Sequence, residues 1–208
     1  YESYTDVETL NSMVPIWQRA KKDVTEAEYN SFYQDKFYDF TNPLRTIHTS
    51  AEGTISYKAL LYIPGKAPYD FYTKDFKRGL QLYSSGVMIM ESCEDLLPEH
   101  FRFVKGIVDT NDLSLNISRE MLQQNHELKT IATNIEKKIK AELKRLLEKD
   151  TEKYLTFWSA FGLQLKYGIV SDYGLHKESL QDLLLFYSAK EEKLITLKSY
   201  VENMAEGQ

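Results

Sequence analysis

The alternation of polar and apolar positions changes character along this chain, and the changes mark its elements. Residues 1–24 carry no regular period; Val14-Pro15-Ile16-Trp17 is an apolar anchor, and Pro15 disfavours a helix through it. Thr25-Glu26-Ala27-Glu28 has capping-box spacing, with the threonine bonding forward and the glutamate back. Tyr29, Phe32, Tyr33 and Phe37 follow at helical spacing, which predicts a helix to about Phe37. The period then falls to two. Residues 44–50 and 54–63 flank Ala51-Glu52-Gly53 as a hairpin, with Ile55, Tyr57, Ala59, Leu61 and Ile63 on one face. Residues 70–77 read as a short helix or turn. Residues 79–83 and 87–90 read as strand pieces, with Ser84-Ser85-Gly86 as a bulge or a break in one strand. Residues 95–104 suggest a helix or helical turns with Leu96, Leu97, Phe101 and Val104 inward, and 106–109 a last short strand.

Beyond residue 120 the period is helical. From Arg119 to about Lys149, Leu122, Leu128, Ile131, Ile135, Ile139, Leu143 and Leu146 hold one face. The lysines beside them alternate with glutamates, as on a solvated face. Asp150 or Thr151 caps a further helix with Tyr154, Leu155, Phe157, Trp158 and Phe161 inside, and Gly162, Gly168 and Gly174 punctuate connectors. Residues 176–187 read as an amphipathic helix, 194–197 as a short apolar segment and 199–204 as a final turn. The expected class is α/β (α+β): a βαββ-type sheet layer with covering helices over residues 1–148, then a helical extension over 149–208.

Composition narrows the function classes. The 26 Lys+Arg against 31 Asp+Glu give a formal net charge of −5, a poor match for a dedicated nucleic-acid binder. One cysteine, Cys93, cannot form an internal disulfide, and the cytosol is the simplest compartment. His48, His100, His126 and His176 lack zinc-ligand spacing. The apolar run at 183–187 is far too short for a membrane span. A first residue other than Met and a polar last stretch are what a piece of a longer protein would show.

Candidate chemistry gathers at residues 113–124. Asp109, Asn111 and Asp112 supply turn chemistry upstream, and Leu113, Leu115 and Ile117 alternate as in a short extended segment. Asn116 or Ser118 can then cap a helix start. Arg119 and Gln123 lie four apart and share a helix face. A cation in a first helical turn opposes the helix dipole, and becomes reasonable if it serves an anion beside the free amides there. The planar fork of Arg119 suits a phosphate, and Gln123 is placed to orient a water or a second phosphate oxygen. An exposed helix start with two solvated side chains fits the same short pattern.

The whole run from Asp95 to Gln124, with Pro98-Glu99, Phe103-Val104-Lys105-Gly106 and Ser118-Arg119-Glu120-Met121-Leu122-Gln123, resembles the middle segment of the ninety-kilodalton heat-shock chaperones, above all their bacterial branch. Trp17, Thr25 to Tyr29, Asn42-Pro43-Leu44, Tyr62-Ile63-Pro64, Phe157-Trp158 and Ser199-Tyr200-Val201 agree in order. The resemblance implies a ribosomal S5 domain 2-like layered sheet. It implies that Arg119 reaches the γ-phosphate of ATP held with Mg²⁺ by an N-terminal domain, that Gln123 supports the same step, and that Asn116 shapes the loop. It implies client-protein binding, with Phe40 in the place of an exposed aromatic, although a half-buried loop aromatic is equally compatible with its sequence. It further implies a C-terminal dimerisation domain, a homodimer, the seventy-kilodalton heat-shock chaperone system as partner, a cytoplasmic location, and neither nucleic acid nor membrane as partner. The chain departs from the family pattern at Gly86, where a basic residue is common, at Ser114, where a proline is common, and at Ala132-Thr133, near a usual arginine. A transducer domain of a related DNA-acting ATPase, of the topoisomerase or mismatch-repair type, is the alternative reading.

Overall fold

The computed structural model describes residues 14–113 and 125–204. Its first helix, α1 (Glu26–Phe37), begins as the capping box requires: the Glu28 amide donates to Thr25 Oγ1 at 3.3 Å and the Thr25 amide donates to the Glu28 carboxylate at 2.7 Å. It ends where Tyr38 turns left-handed, at φ 53°.

Five strands form the main sheet: β1 (Arg45–Ala51), β2 (Tyr57–Ile63), β3 (Leu80–Ser84), β4 (Val87–Cys93) and β5 (Lys105–Thr110), in the order β1-β2-β5-β3-β4. β5 enters the centre last. It pairs antiparallel with β2 and parallel with β3. The expected single apolar face of β2 is half of what is seen. Tyr57, Ala59, Leu61 and Ile63 join one core, while Leu60 and Tyr62 join another with Trp17, Tyr29, Tyr33 and Ile107. Both faces are covered, so the run from Ala59 to Ile63 is apolar without interruption, as for any strand sandwiched between layers.

Ser84-Ser85-Gly86 is neither a bulge nor a break. Ser85 and Gly86 have φ 51° and 80° and form the two-residue turn of a hairpin, with Ser84 opposite Val87. Residues 70–77 form turns, and the 95–104 region resolves into two 3-10 turns, Glu94–Leu96 and Glu99–Phe101. Its four expected core residues are all buried.

The long helix α2 (His126–Lys149) starts later than its periodicity indicates. Asn125 has extended backbone (φ −72°, ψ 123°) and its side chain accepts the Leu128 amide at 2.8 Å, so no single helix runs from Arg119 to Lys149. From Leu128 to Leu146 every expected core position is at most 2% exposed. Asp150 ends α2 and caps α3 (Thr151–Val170), accepting the Lys153 amide at 3.2 Å. Of the expected inner face of α3, Leu155 turns outward, 37% exposed. Gly162 and Gly168 lie inside α3 rather than in connectors. A Cβ on Gly168 would sit 2.3 Å from His100 Cβ, so this glycine lets the helix close on the Glu99–Phe101 turn. Tyr154, Phe157, Phe161 and Leu165 share one core with β2 and α2, so packing is continuous across residue 148.

The extension is not purely helical. Residues 176–187 give a single turn, α4 (Lys177–Leu180), a 3-10 turn (Gln181–Leu183) and then β6 (Leu185–Ser188). β6 pairs antiparallel with β7 (Lys193–Thr196), and α5 (Leu197–Glu202) follows. Leu183, Leu184 and Leu185 are consecutive and all buried, which a one-sided helix cannot achieve.

His100 is 2% exposed, and its Nε2 has no hydrogen-bond partner among the described residues. Around it stand the His176 ring at 4.8 Å, the Glu136 carboxylate at 3.8 Å and, beyond His176, Asp172. Burial first, then the neighbouring His176, lowers its pKa to about 4, against which Asp172 acts in the opposite sense. The folded pKa lies below the unfolded value of about 6.5, so the unfolded chain binds the proton more tightly. Stability from this group is present above pH ~6.5 and drains away towards pH ~4, to a total of ~3 kcal/mol. Urea midpoints should therefore fall more between pH 7 and pH 4.5 for the natural chain than for His100→Phe. Parallel curves would exclude His100 as the cause.

Candidate functional site

Arg119, Gln123 and Asn116 lie outside the described residues. What is described is the end of the sheet from which their segment departs. β3 and β5 run parallel, and Ser84 stands in register with Thr110 at their carboxyl ends. In open α/β sheets, ligands gather outside such ends.

Asp109, expected both to end a short strand and to supply turn chemistry, is a buried member of β5. Its carboxylate accepts from Trp17 Nε1 at 2.9 Å, from Gln18 Nε2 at 2.8 Å and from the Gly86 amide at 3.1 Å. One carboxylate thus ties the residues before α1 and the β3–β4 turn to the central strand. Three donors make its burial tolerable. Trp17 also packs on Phe32 and Tyr83, with ring centres 6.0 and 5.1 Å apart.

The chain beyond β5 is tied from both sides. The Ser56 amide donates to Asp112 Oδ2 at 2.7 Å, and Thr110 Oγ1 donates to the Ser56 carbonyl at 2.8 Å. On the other side, Ser84 Oγ donates to the Leu113 carbonyl at 2.6 Å. An open groove of about 640 Å³ lies against this end, lined by Gln18, Ser50, Glu52, Lys58, Ser85 and Asn111, with Asp109 among its walls. Among the described residues no group of three His, Cys, Asp or Glu side chains is placed to hold a metal ion. Among the same residues no helix is long and apolar enough to cross a membrane.

Phe40 follows α1 and is 92% exposed, so the half-buried reading of this residue does not hold. The preceding residue is fixed: the Asp39 carboxylate accepts from Tyr33 Oη at 2.5 Å and from the Thr41 hydroxyl at 2.7 Å. Burial opposes the Asp39 charge, yet these hydrogen bonds prevail and hold its pKa below the usual value. Tyr38 and Tyr69 are also exposed, at 84% and 100%, and periodicity gives no hint of either.

What sequence reasoning missed are the backbone N–H and carbonyl of Ser56, the hydroxyl of Ser84 and the acceptor role of Asp109. Their partners lie 23 to 92 residues away, beyond the reach of any local pattern. A carboxylate directly after the apolar pair Ile107-Val108 was the one available signal.

Comparison with known proteins places these features. A sequence model of the Hsp90 protein family matches residues 1–208. The chaperone protein HtpG of Clostridium acetobutylicum is 56% identical over 207 residues, covering 100% of this chain and 33% of that protein. HtpG of Clostridium perfringens is 55% identical over 208 residues, with the same coverage. The chain thus spans about a third of the length of these relatives. Among solved structures, the middle domain of a Plasmodium falciparum heat shock protein superposes with a TM-score of 0.82 at 34% identity, over 94% of this chain and 76% of that one. Matched along its whole length and folded as a middle domain, the chain belongs to the Hsp90 family.

Proposed function

We propose that this chain completes, in trans, the ATPase site of an N-terminal nucleotide-binding domain, and that it offers part of a client-protein surface. The reading rests on one juxtaposition: the Ser118-Arg119-Glu120 run with Gln123 follows directly on the tied carboxyl end of the central strand, in a chain matched throughout by the Hsp90 family. Arg119 supplies positive charge to the γ-phosphate as negative charge redistributes during transfer, and Gln123 orients the attacking water or a phosphate oxygen. Asn116 shapes the segment. ATP and Mg²⁺ belong to the N-terminal domain, whose Gly-rich cradle and metal-binding carboxylates have no counterpart among the sequence motifs here. An arginine delivered from a second domain is an established source of phosphoryl-transfer rate. On the same reading a C-terminal domain dimerises the whole protein, which works in the cytoplasm with the seventy-kilodalton heat-shock chaperone system.

Phe40 is the first candidate for client contact, because a nearly fully exposed ring on a fixed loop offers apolar area without reorganisation. The test of both halves uses one preparation. Adding this chain to an N-terminal nucleotide domain should raise ATP turnover. Phe40→Ser should keep that gain but weaken suppression of client aggregation. No gain in turnover on mixing, with binding of the two shown separately, would remove the ATPase role. Steeply salt-sensitive DNA binding would instead favour the DNA-acting alternative, which the family match and the net charge of −5 speak against.

A further inference from the structure

We propose that Ser84 is a positioning residue for the segment carrying Arg119: its hydroxyl, bonded to the Leu113 carbonyl, sets the direction in which the chain leaves the sheet. This inference rests on the ATPase reading for its consequence, but not for its geometry.

Ser84 is the last residue of β3 and is 1% exposed. A serine that deep in an apolar layer needs a partner, and it has one in the Leu113 carbonyl at 2.6 Å. Leu113 itself is 4% exposed and its side chain belongs to the main core. The residue is therefore held twice, by packing at its side chain and by Ser84 at its backbone. The parallel pairing of β3 with β5 makes this possible. It brings Ser84 level with Thr110, so that the chain leaving β5 passes the end of β3 within reach of the hydroxyl. On the β2 side, Ser56 and Asp112 tie the same stretch. Two flanking strands thus fix the exit of the central one.

Arg119 is six residues beyond Leu113. Six residues span at most about 20 Å, so the place where Leu113 is held bounds the space that the Arg119 guanidinium can reach. A misplacement of about 1 Å can cost on the order of a hundredfold in rate. Asp109 does not serve this purpose, because its three donors lie on the Trp17 and Gly86 side.

The experiment compares Ser84→Thr with Ser84→Val in a full-length HtpG-type chain. The two side chains share a shape and differ in the hydroxyl. Thr should keep both the anchor and the activity. Val should lower turnover at saturating ATP about tenfold, with the KM for ATP within roughly twofold. Amide exchange across residues 114–124 should quicken in Val but not in Thr, with β3 and β5 unchanged. Equal exchange over 114–124 in the two variants would overturn the inference, and so would exchange that rises equally through β3 and β5. Arg119→Ala is run beside them. If it leaves turnover intact, the ATPase reading fails, while the exchange data still decide the anchor.

Discussion

Arg119→Ala in a full-length HtpG-type chain is expected to lower ATP turnover by about 10³-fold while ATP affinity stays within a factor of about two. A loss of that size corresponds to about 4 kcal/mol of transition-state stabilisation. The asymmetry between rate and affinity follows from where the arginine resides. On the proposed reading the nucleotide would sit in another domain, so ground-state binding would proceed without Arg119, and the guanidinium would be engaged only when the domains dock for transfer. Arg119→Lys separates charge from geometry. Lysine keeps the charge but loses the planar two-point fork, so it should recover only part of the rate. The check is single-turnover hydrolysis alongside direct nucleotide binding. Turnover equal to the natural protein's would remove Arg119 from the chemistry. A matching loss of affinity would make it a ground-state binding residue instead.

Gly106→Ala is expected to destabilise the chain by about 3 kcal/mol, at the upper end of what overpacking costs. Gly106 lies in β5 opposite Leu61, and a Cβ there would stand 2.4 Å from the Leu60 carbonyl oxygen and 2.9 Å from Leu61 Cα. Both obstacles are backbone atoms of the adjoining strand, so no side chain can swing aside. Relief requires β2 and β5 to part, and that opens both cores at once, since Leu60 and Leu61 belong to different ones. Gly65→Ala is the control. Its Cβ would meet nothing closer than 3.6 Å, and its effect should stay within about 0.5 kcal/mol. For a chain of this size the Gly106 variant should melt roughly 6–12 °C lower. Equal melting temperatures for the two variants would show that β5 can shift without cost. Because β5 feeds the segment bearing Arg119, the variant should also lose coupling to the nucleotide domain before it unfolds.

Much of this molecule is legible in its residues taken singly. Thr25 and Glu28 are three apart, so the capping box of α1 needs no tertiary help. The stripe from Leu128 to Leu146 gives the buried face of α2 position by position. Local rules failed where a residue's neighbour comes from elsewhere in the chain. Gly162 and Gly168 look like breaks, because isolated glycine weakens a helix, yet close contacts with Trp158 and His100 make the missing Cβ useful. Residues 183–187 look helical, but β6 exists because β7 pairs with it. Asn125 stops the upstream continuation of α2 with a single side-chain bond that periodicity does not register.

The sequence by itself determined the start of α1, the buried stripe of α2 and the Hsp90-type motif, and it singled out Arg119 and Gln123 as candidates for chemistry, because those depend on residue types a few positions apart. Only the tertiary structure decided that β5 lies in the centre of the sheet, that Asp109 joins Trp17 to the β3–β4 turn, and that Ser84 grips Leu113. Those contacts unite residues 23 to 92 positions apart. A hydrogen bond between such distant groups is chosen by which strands end side by side, and strand order is a property of the packed whole.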